Sequence, residues 1–174
     1  MRTNLTLLRL LCCVCGLSLL SANAAADCSV STAGVAFGAY DSLGGNRRDT
    51  IGTITVSCTG NVGDSVSCSI SLDTTGDQGV YRVMTNGAHN LTYLIFADNG
   101  YTHVWGDGTG GSTVVTDSYR LNAHSNLHSY PMYGRIPSGQ NRATSGTYVG
   151  DITITLVYWG RTEQRLCRGG RRTR

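Results

Sequence analysis

The chain has 174 residues, of which 14% are charged, 23 are Gly and 2 are Pro. That is one domain's worth, and the composition suits short strands joined by glycine turns. Every basic residue is Arg, and the formal charge of +3 is unevenly placed: residues 27–160 hold six Arg and ten Asp, a net −4, whereas residues 161–174 hold six Arg and one Glu, a net +5. A mildly acidic body excludes the electrostatic footprint of a nucleic-acid binder.

In chain order, residues 1–26 read as a cleaved secretory signal. Arg2 and Arg9 precede or border the apolar run "LLCCVCGLSLL" (10–20), which is too short to span a bilayer with ease. "SANAAADC" then offers small-residue cleavage after Ala24 or Ala26, and Asp27 argues against a lipid anchor on Cys28. No membrane span is expected after cleavage. Cys12, Cys13 and Cys15 leave with the signal, and Cys28, Cys58, Cys68 and Cys167 remain. In an oxidising compartment disulfides are the default, and four cysteines leave three full pairings open.

The body, residues 27–160, reads as strands and turns throughout. "VSTAGVAFGAY" (30–40) is extended, with Val35 and Phe37 on one face, and "DSLGGNRRD" (41–49) is a polar loop. "TIGTITVSC" (50–58) places Ile54, Val56 and Cys58 inward, and "SVSCSISLD" (65–73) does the same with Val66, Cys68, Ile70 and Leu72. "GVYRVMT" and "LTYLIFAD" are joined by "NGAHN" as a hairpin, and residues 101–119 read as a second hairpin around a glycine-rich centre. "LHSYPMYGRI" (127–136) is a further strand, and Pro131 demotes its start to an edge or a bulge. The last strand lies in "SGTYVGDITITLVYWG" (145–160), where Ile152, Ile154, Leu156 and Tyr158 alternate with Asp151, Thr153 and Thr155. After it comes an arginine-rich tail, 161–174, expected to lack regular structure. Short strands separated by turns argue an all-β sandwich.

The motifs that could carry chemistry have better structural explanations. "GDGTGG" (106–111) matches a dinucleotide fingerprint in letters, but a Val-rich strand follows where a helix N-terminus is needed. A hairpin loop with Gly at positive φ accounts for it. His124 and His128 fall in a loop-like segment with no carboxylate cluster, His89 and His103 are isolated, and Asp107 lacks the acidic partners of a Ca²⁺ loop. No metal or cofactor is expected. There is no G-x-S-x-G, and a single Glu leaves little for acid–base work, so an enzyme is not expected.

Five blocks, "CSVSTAGVAFGAYDSLGG", "GTITVSCTG", "VWGDGTGGS", "YPMYGRIPSGQN" and "SGTYVGDITITLVY", resemble in this order the spore coat protein U domain, a family that includes subunits of archaic chaperone–usher pili. The likeness covers about residues 28–158. It implies an immunoglobulin-like β-sandwich that lacks its last strand and is completed by a donor strand. The implied partners are a periplasmic chaperone, an outer-membrane usher and other pilin subunits; the implied location is the cell surface, reached through the periplasm. Ile152, Ile154, Leu156 and Tyr158 would line the acceptor groove. The family's disulfide matches Cys28 and Cys58, which leaves Cys68 as a buried thiol. Too few residues stand between the cleavage site and Cys28 to form a donor strand, so the chain is expected to accept a strand and give none, at a fibre tip or other terminal position. A tip adhesin that binds a surface ligand through loops such as 98–111 is the alternative.

Overall fold

The computed structural model describes residues 26–73 and 80–159, together with the backbone of 164–173. The expected signal falls on residues 1–25, outside the described residues, apart from Ala26. The described chain is all β: β1 (Asp27–Gly34), β2 (Arg48–Thr59), β3 (Ser65–Leu72), β4 (Arg82–Asn86), β5 (His89–Phe96), β6 (Val115–Arg120), β7 (Ser125–Ile136), β8 (Gly150–Trp159) and β9 (Gln164–Thr173). Two antiparallel sheets, ordered β1-β2-β7-β5-β4 and β6-β3-β8-β9, face each other as an immunoglobulin-like sandwich.

Period-two patterning builds the core between the sheets. Ile54, Val56 and Cys58 of β2, Val66, Cys68, Ile70 and Leu72 of β3, and Ile152, Ile154, Leu156 and Tyr158 of β8 are all buried. Each occupies an alternate position, so each strand gives one face to the core and one to water. Trp105 is buried among them, and its indole N–H donates to the Ile70 carbonyl at 2.9 Å. A buried indole needs such an acceptor.

Two elements differ from the sequence reading, and a third, at Pro131, is edge-like on one side only. The first strand is Asp27–Gly34 rather than 30–40. Its ladder with β2 shifts register between Thr32 and Gly34. There Gly34 has φ 73°, and a Cβ on Gly52 would overlap the Gly34 carbonyl oxygen, so the bulge needs a glycine on both strands. Beyond it the chain leaves the ladder, yet Val35 and Phe37 are both buried, as their shared face requires.

Residues 101–119 are not a hairpin. Val104 and Trp105 make only isolated bridges, to Phe96 and Thr113, and β6 pairs with β3. The glycine-rich centre is a turn with Gly108, Gly110 and Gly111 at positive φ. Asp107 organises it by accepting from the Thr109 N–H at 2.9 Å and the Thr109 hydroxyl at 2.7 Å.

Pro131, finally, lies in a strand that is central in its sheet. β7 pairs with β2 along its whole length, but with β5 only through Tyr133, Gly134 and Arg135. At Pro131 the other side of β7 has no ladder partner among the described residues, so the missing N–H is tolerated.

Candidate strand-acceptor site

The site is built on β8. Its four alternate residues, Ile152, Ile154, Leu156 and Tyr158, have 4%, 3%, 0% and 1% of their surface exposed. One edge of β8 is paired with β3 from Ile154 to Trp159. On the other edge lies β9, paired antiparallel from Gly150–Thr173 to Trp159–Gln164. β9 also runs close to β1. The segment expected to have no regular structure therefore supplies a strand, and it occupies the edge that the sequence reading left to a donor.

The two strands that flank this position, β1 and β8, are joined at one end and open at the other. At the joined end the Tyr158 hydroxyl donates to the Asp27 carboxylate at 2.8 Å. At the open end the segment leaving β1 and the segment entering β8 enclose a cavity of about 910 Å³. Val35, Phe37, Met84, Leu91 and Ile136 give it an apolar lining, and Tyr148 lies at its edge with Leu43, which is 83% exposed. Asp41, Ser42, Thr144 and Thr147 also line it, so the space combines an apolar floor with polar residues.

The disulfide is Cys28–Cys58, and it joins directly opposed residues of β1 and β2 with Cα atoms 4.1 Å apart. It fixes β1, one wall of the candidate site, to its neighbour β2. Cys68 is a free, buried thiol. Burial pushes its pKa up, which keeps it protonated and inert. Its sulfur lies 3.7 Å from the Tyr130 hydroxyl, which donates to Asp117 at 2.8 Å.

The residues weighed for chemistry stay apart. His124 meets the Gly60 carbonyl at 3.1 Å. His128 stacks on Tyr119, with ring centroids 3.6 Å apart, and stands 3.7 Å from Asp117. His103 and Asp98 close a local turn, in which the Asp98 carboxylate accepts backbone N–H bonds from Thr102 and His103. Those bonds, the His103 one foremost, hold the Asp98 pKa down at about 2. No group of three or more His, Cys, Asp or Glu among the described residues is placed to hold a metal ion. No helix among them is long and apolar enough to cross a membrane.

One residue escaped the sequence reading. Arg82 on β4 is 1% exposed. It donates to the carbonyls of Trp105 at 2.8 Å and Leu72 at 3.4 Å, while its Nε and Nη1 have no partner among the described residues. Burial lowers its pKa, and burial raises that of the neighbouring Tyr93 to about 12. Arg82 therefore ties β4 to the carbonyls at the ends of β3 and the Trp105 bridge, across the sandwich. Nothing in "GVYRVMT" distinguishes it from an exposed strand arginine.

No individually curated protein matches the chain in sequence. Among solved structures it is similar to the CsuC–CsuE chaperone–tip adhesion subunit pre-assembly complex from archaic chaperone–usher Csu pili of Acinetobacter baumannii, with 18% identity and a TM-score of 0.47 over 83% of this chain and 39% of that one. It is also similar to AggB, the minor subunit of aggregative adherence fimbriae type I from Escherichia coli, with 10% identity and a TM-score of 0.30 over 83% of this chain and 97% of that one. The chain thus spans about two fifths of the length of the first. The family model for the Spore Coat Protein U domain matches residues 15–155. The chain belongs to the Spore Coat Protein U domain family.

Proposed function

We propose that the chain is a structural, non-enzymatic subunit of a surface fimbria or coat-like layer, assembled by strand donation along β8. In this reading a periplasmic chaperone holds the subunit, an outer-membrane usher exports it, and another subunit supplies the strand that completes the sheet. The observation that carries the reading is the edge of β8. Four core-facing residues line it, and the strand beside it comes from residues 164–173, beyond the family match that ends at residue 155. On this reading the domain reaches β8 with one edge to be filled by another strand. Such an edge recruits a strand through backbone bonds, and alternate pockets select its side chains. The apolar cavity between the start of β8 and the end of β1 lengthens the surface that a donor can cover.

The subunit accepts a strand and donates none. This part rests on cleavage after Ala24 or Ala26, because β1 begins at Asp27 and a donor needs several residues at about 3.3 Å each. A subunit that accepts without donating would stand at one end of a fibre.

The test is to mix the purified chain with a donor-bearing fimbrial subunit and resolve the products on a gel that preserves complexes. One copy of this chain per complex is expected. Ile154→Asp, which puts an unpaired charge among buried side chains at a cost of about 3–5 kcal/mol, should abolish the complex, whereas Ile154→Val should keep it. A ladder built from this chain alone would overturn the accept-only position. Failure of the wild-type chain to form any complex would overturn strand donation itself.

A further inference from the structure

Strand β9 fills the β8 edge with an unusual set of residues. In an antiparallel pair, directly opposed positions share a face of the sheet. Opposite the core-facing Tyr158, Leu156, Ile154 and Ile152 stand Arg165, Cys167, Gly169 and Arg171. Of those four register positions two are arginines and one is a glycine, so the segment lacks the aliphatic residues with which strands that face a core are usually built. The backbone pairing nevertheless runs over ten consecutive positions. The pairing also suits charge: the tail carries a net +5 against −4 for the body, and Arg172 stands opposite Asp151.

Taking the strand-accepting reading of β8 as given, we infer that residues 164–173 are a built-in placeholder strand. The segment satisfies the edge hydrogen bonds of β8 in cis but brings no aliphatic residue to the four positions opposite Ile152, Ile154, Leu156 and Tyr158, and a donor strand with aliphatic residues at those register positions displaces it. Backbone bonds and charge hold the strand long enough to mask an aggregation-prone edge. Aliphatic side chains brought by a donor make the exchange downhill, because each removes apolar surface from water. The tail is therefore a self-cap that sets the rate at which the subunit takes up a strand.

The test uses the full chain and a fluorescent ten-residue peptide. The peptide has the sequence of residues 164–173, with Val at the four positions that match Arg165, Cys167, Gly169 and Arg171. Three forms are compared: wild type, a strengthened tail (Cys167→Val with Gly169→Val) and a weakened tail (Cys167→Asp). Peptide uptake should be slower by about tenfold or more in the strengthened form, the factor carried by one buried aliphatic side chain, and its Tm should rise. Uptake should be faster than wild type in the weakened form. Should the weakened form fail to fold, the strengthened one still decides. Equal uptake rates with unchanged Tm would overturn the self-cap and leave strand acceptance standing. No uptake by any form would overturn strand acceptance, and the self-cap with it.

Discussion

β1 and β9 are both edge strands, each at one end of its sheet, and they come close to one another on the same flank of the sandwich. They are held there by different means. β1 is pinned: it pairs with β2 from Asp27 to Gly34, carries the Cys28–Cys58 cross-link, and reaches across to β8 through the Tyr158–Asp27 hydrogen bond. β9 has a ladder with β8 and, at its core-facing register positions, Arg165, Cys167, Gly169 and Arg171. On the proposed reading one edge is permanent and the other is exchangeable. A fibre subunit of the proposed kind needs both: a fixed wall against which an incoming strand can register, and an opening that can be refilled.

The comparison breaks most sharply if the pin on β1 is removed. Replacing both cysteines, Cys28→Ala with Cys58→Ala, opens a loop of sequence separation 30. The expected loss is about 3–4 kcal/mol in a urea melt under the chain-entropy account. β1 would then exchange its amides as readily as β9. If stability stays the same, β1 is held by its ladder alone and the contrast between the edges disappears.

A smaller effect is expected from Tyr158→Phe, which removes the donor to Asp27 and keeps the buried ring. Asp27 is exposed and stays hydrated, so the cost should be about 0.5–1.5 kcal/mol. The amides at the start of β1 should lose protection along with it. A loss confined to β9 would mean that the bond ties the wrong edge.

The smallest effect concerns the far side of β2. Arg135 donates to Asp49 through Nε at 2.7 Å and Nη2 at 2.8 Å, a fork that joins β7 to β2. The guanidinium of Arg135 holds the Asp49 carboxyl below its usual range. A depressed carboxylate contributes stability that is fully present above its unfolded pKa, about 3.9, and is lost as pH falls through the lower folded value. Asp49→Asn should therefore cost about 0.5–1 kcal/mol at neutral pH for this partly exposed pair, and nothing once both carboxyl states are protonated. A constant difference between variant and wild type down to strongly acid pH would assign the effect to packing instead.

Where a strand has one face in the core, its sequence announced it. β2, β3 and β8 alternate cleanly, and their inward residues are the buried ones. The disulfide came from the family likeness, because four cysteines by themselves leave the pairing open. Two features were hidden for a common reason. Arg82 is buried by the carbonyls of Trp105 and Leu72, which approach from distant parts of the chain, and no local pattern records such partners. β9 is a strand only because β8 offers it an edge, and "QRLCRGGRRT" has neither alternation nor β-branched residues before its last position. The supposed second hairpin failed on the same principle: Trp105 is drawn into the core by its hydrogen bond to Ile70, and the arm that follows pairs with β3. The inward row Ile152, Ile154, Leu156 and Tyr158 was legible in the sequence, whereas the strand that pairs with β8 was not.

The exchangeability of the β8 edge is tested most directly by amide hydrogen exchange on the full chain, alone and with the valine-bearing peptide. In the chain alone, the amides shared between β8 and β9 should exchange much faster than those shared between β1 and β2. On adding the peptide, the β8 amides should become as protected as those of β2, while signals from residues 164–173 lose their protection. If the β8–β9 amides are as protected as the β1–β2 amides from the start and the peptide changes neither, the edge is as permanent as β1 and the account is contradicted.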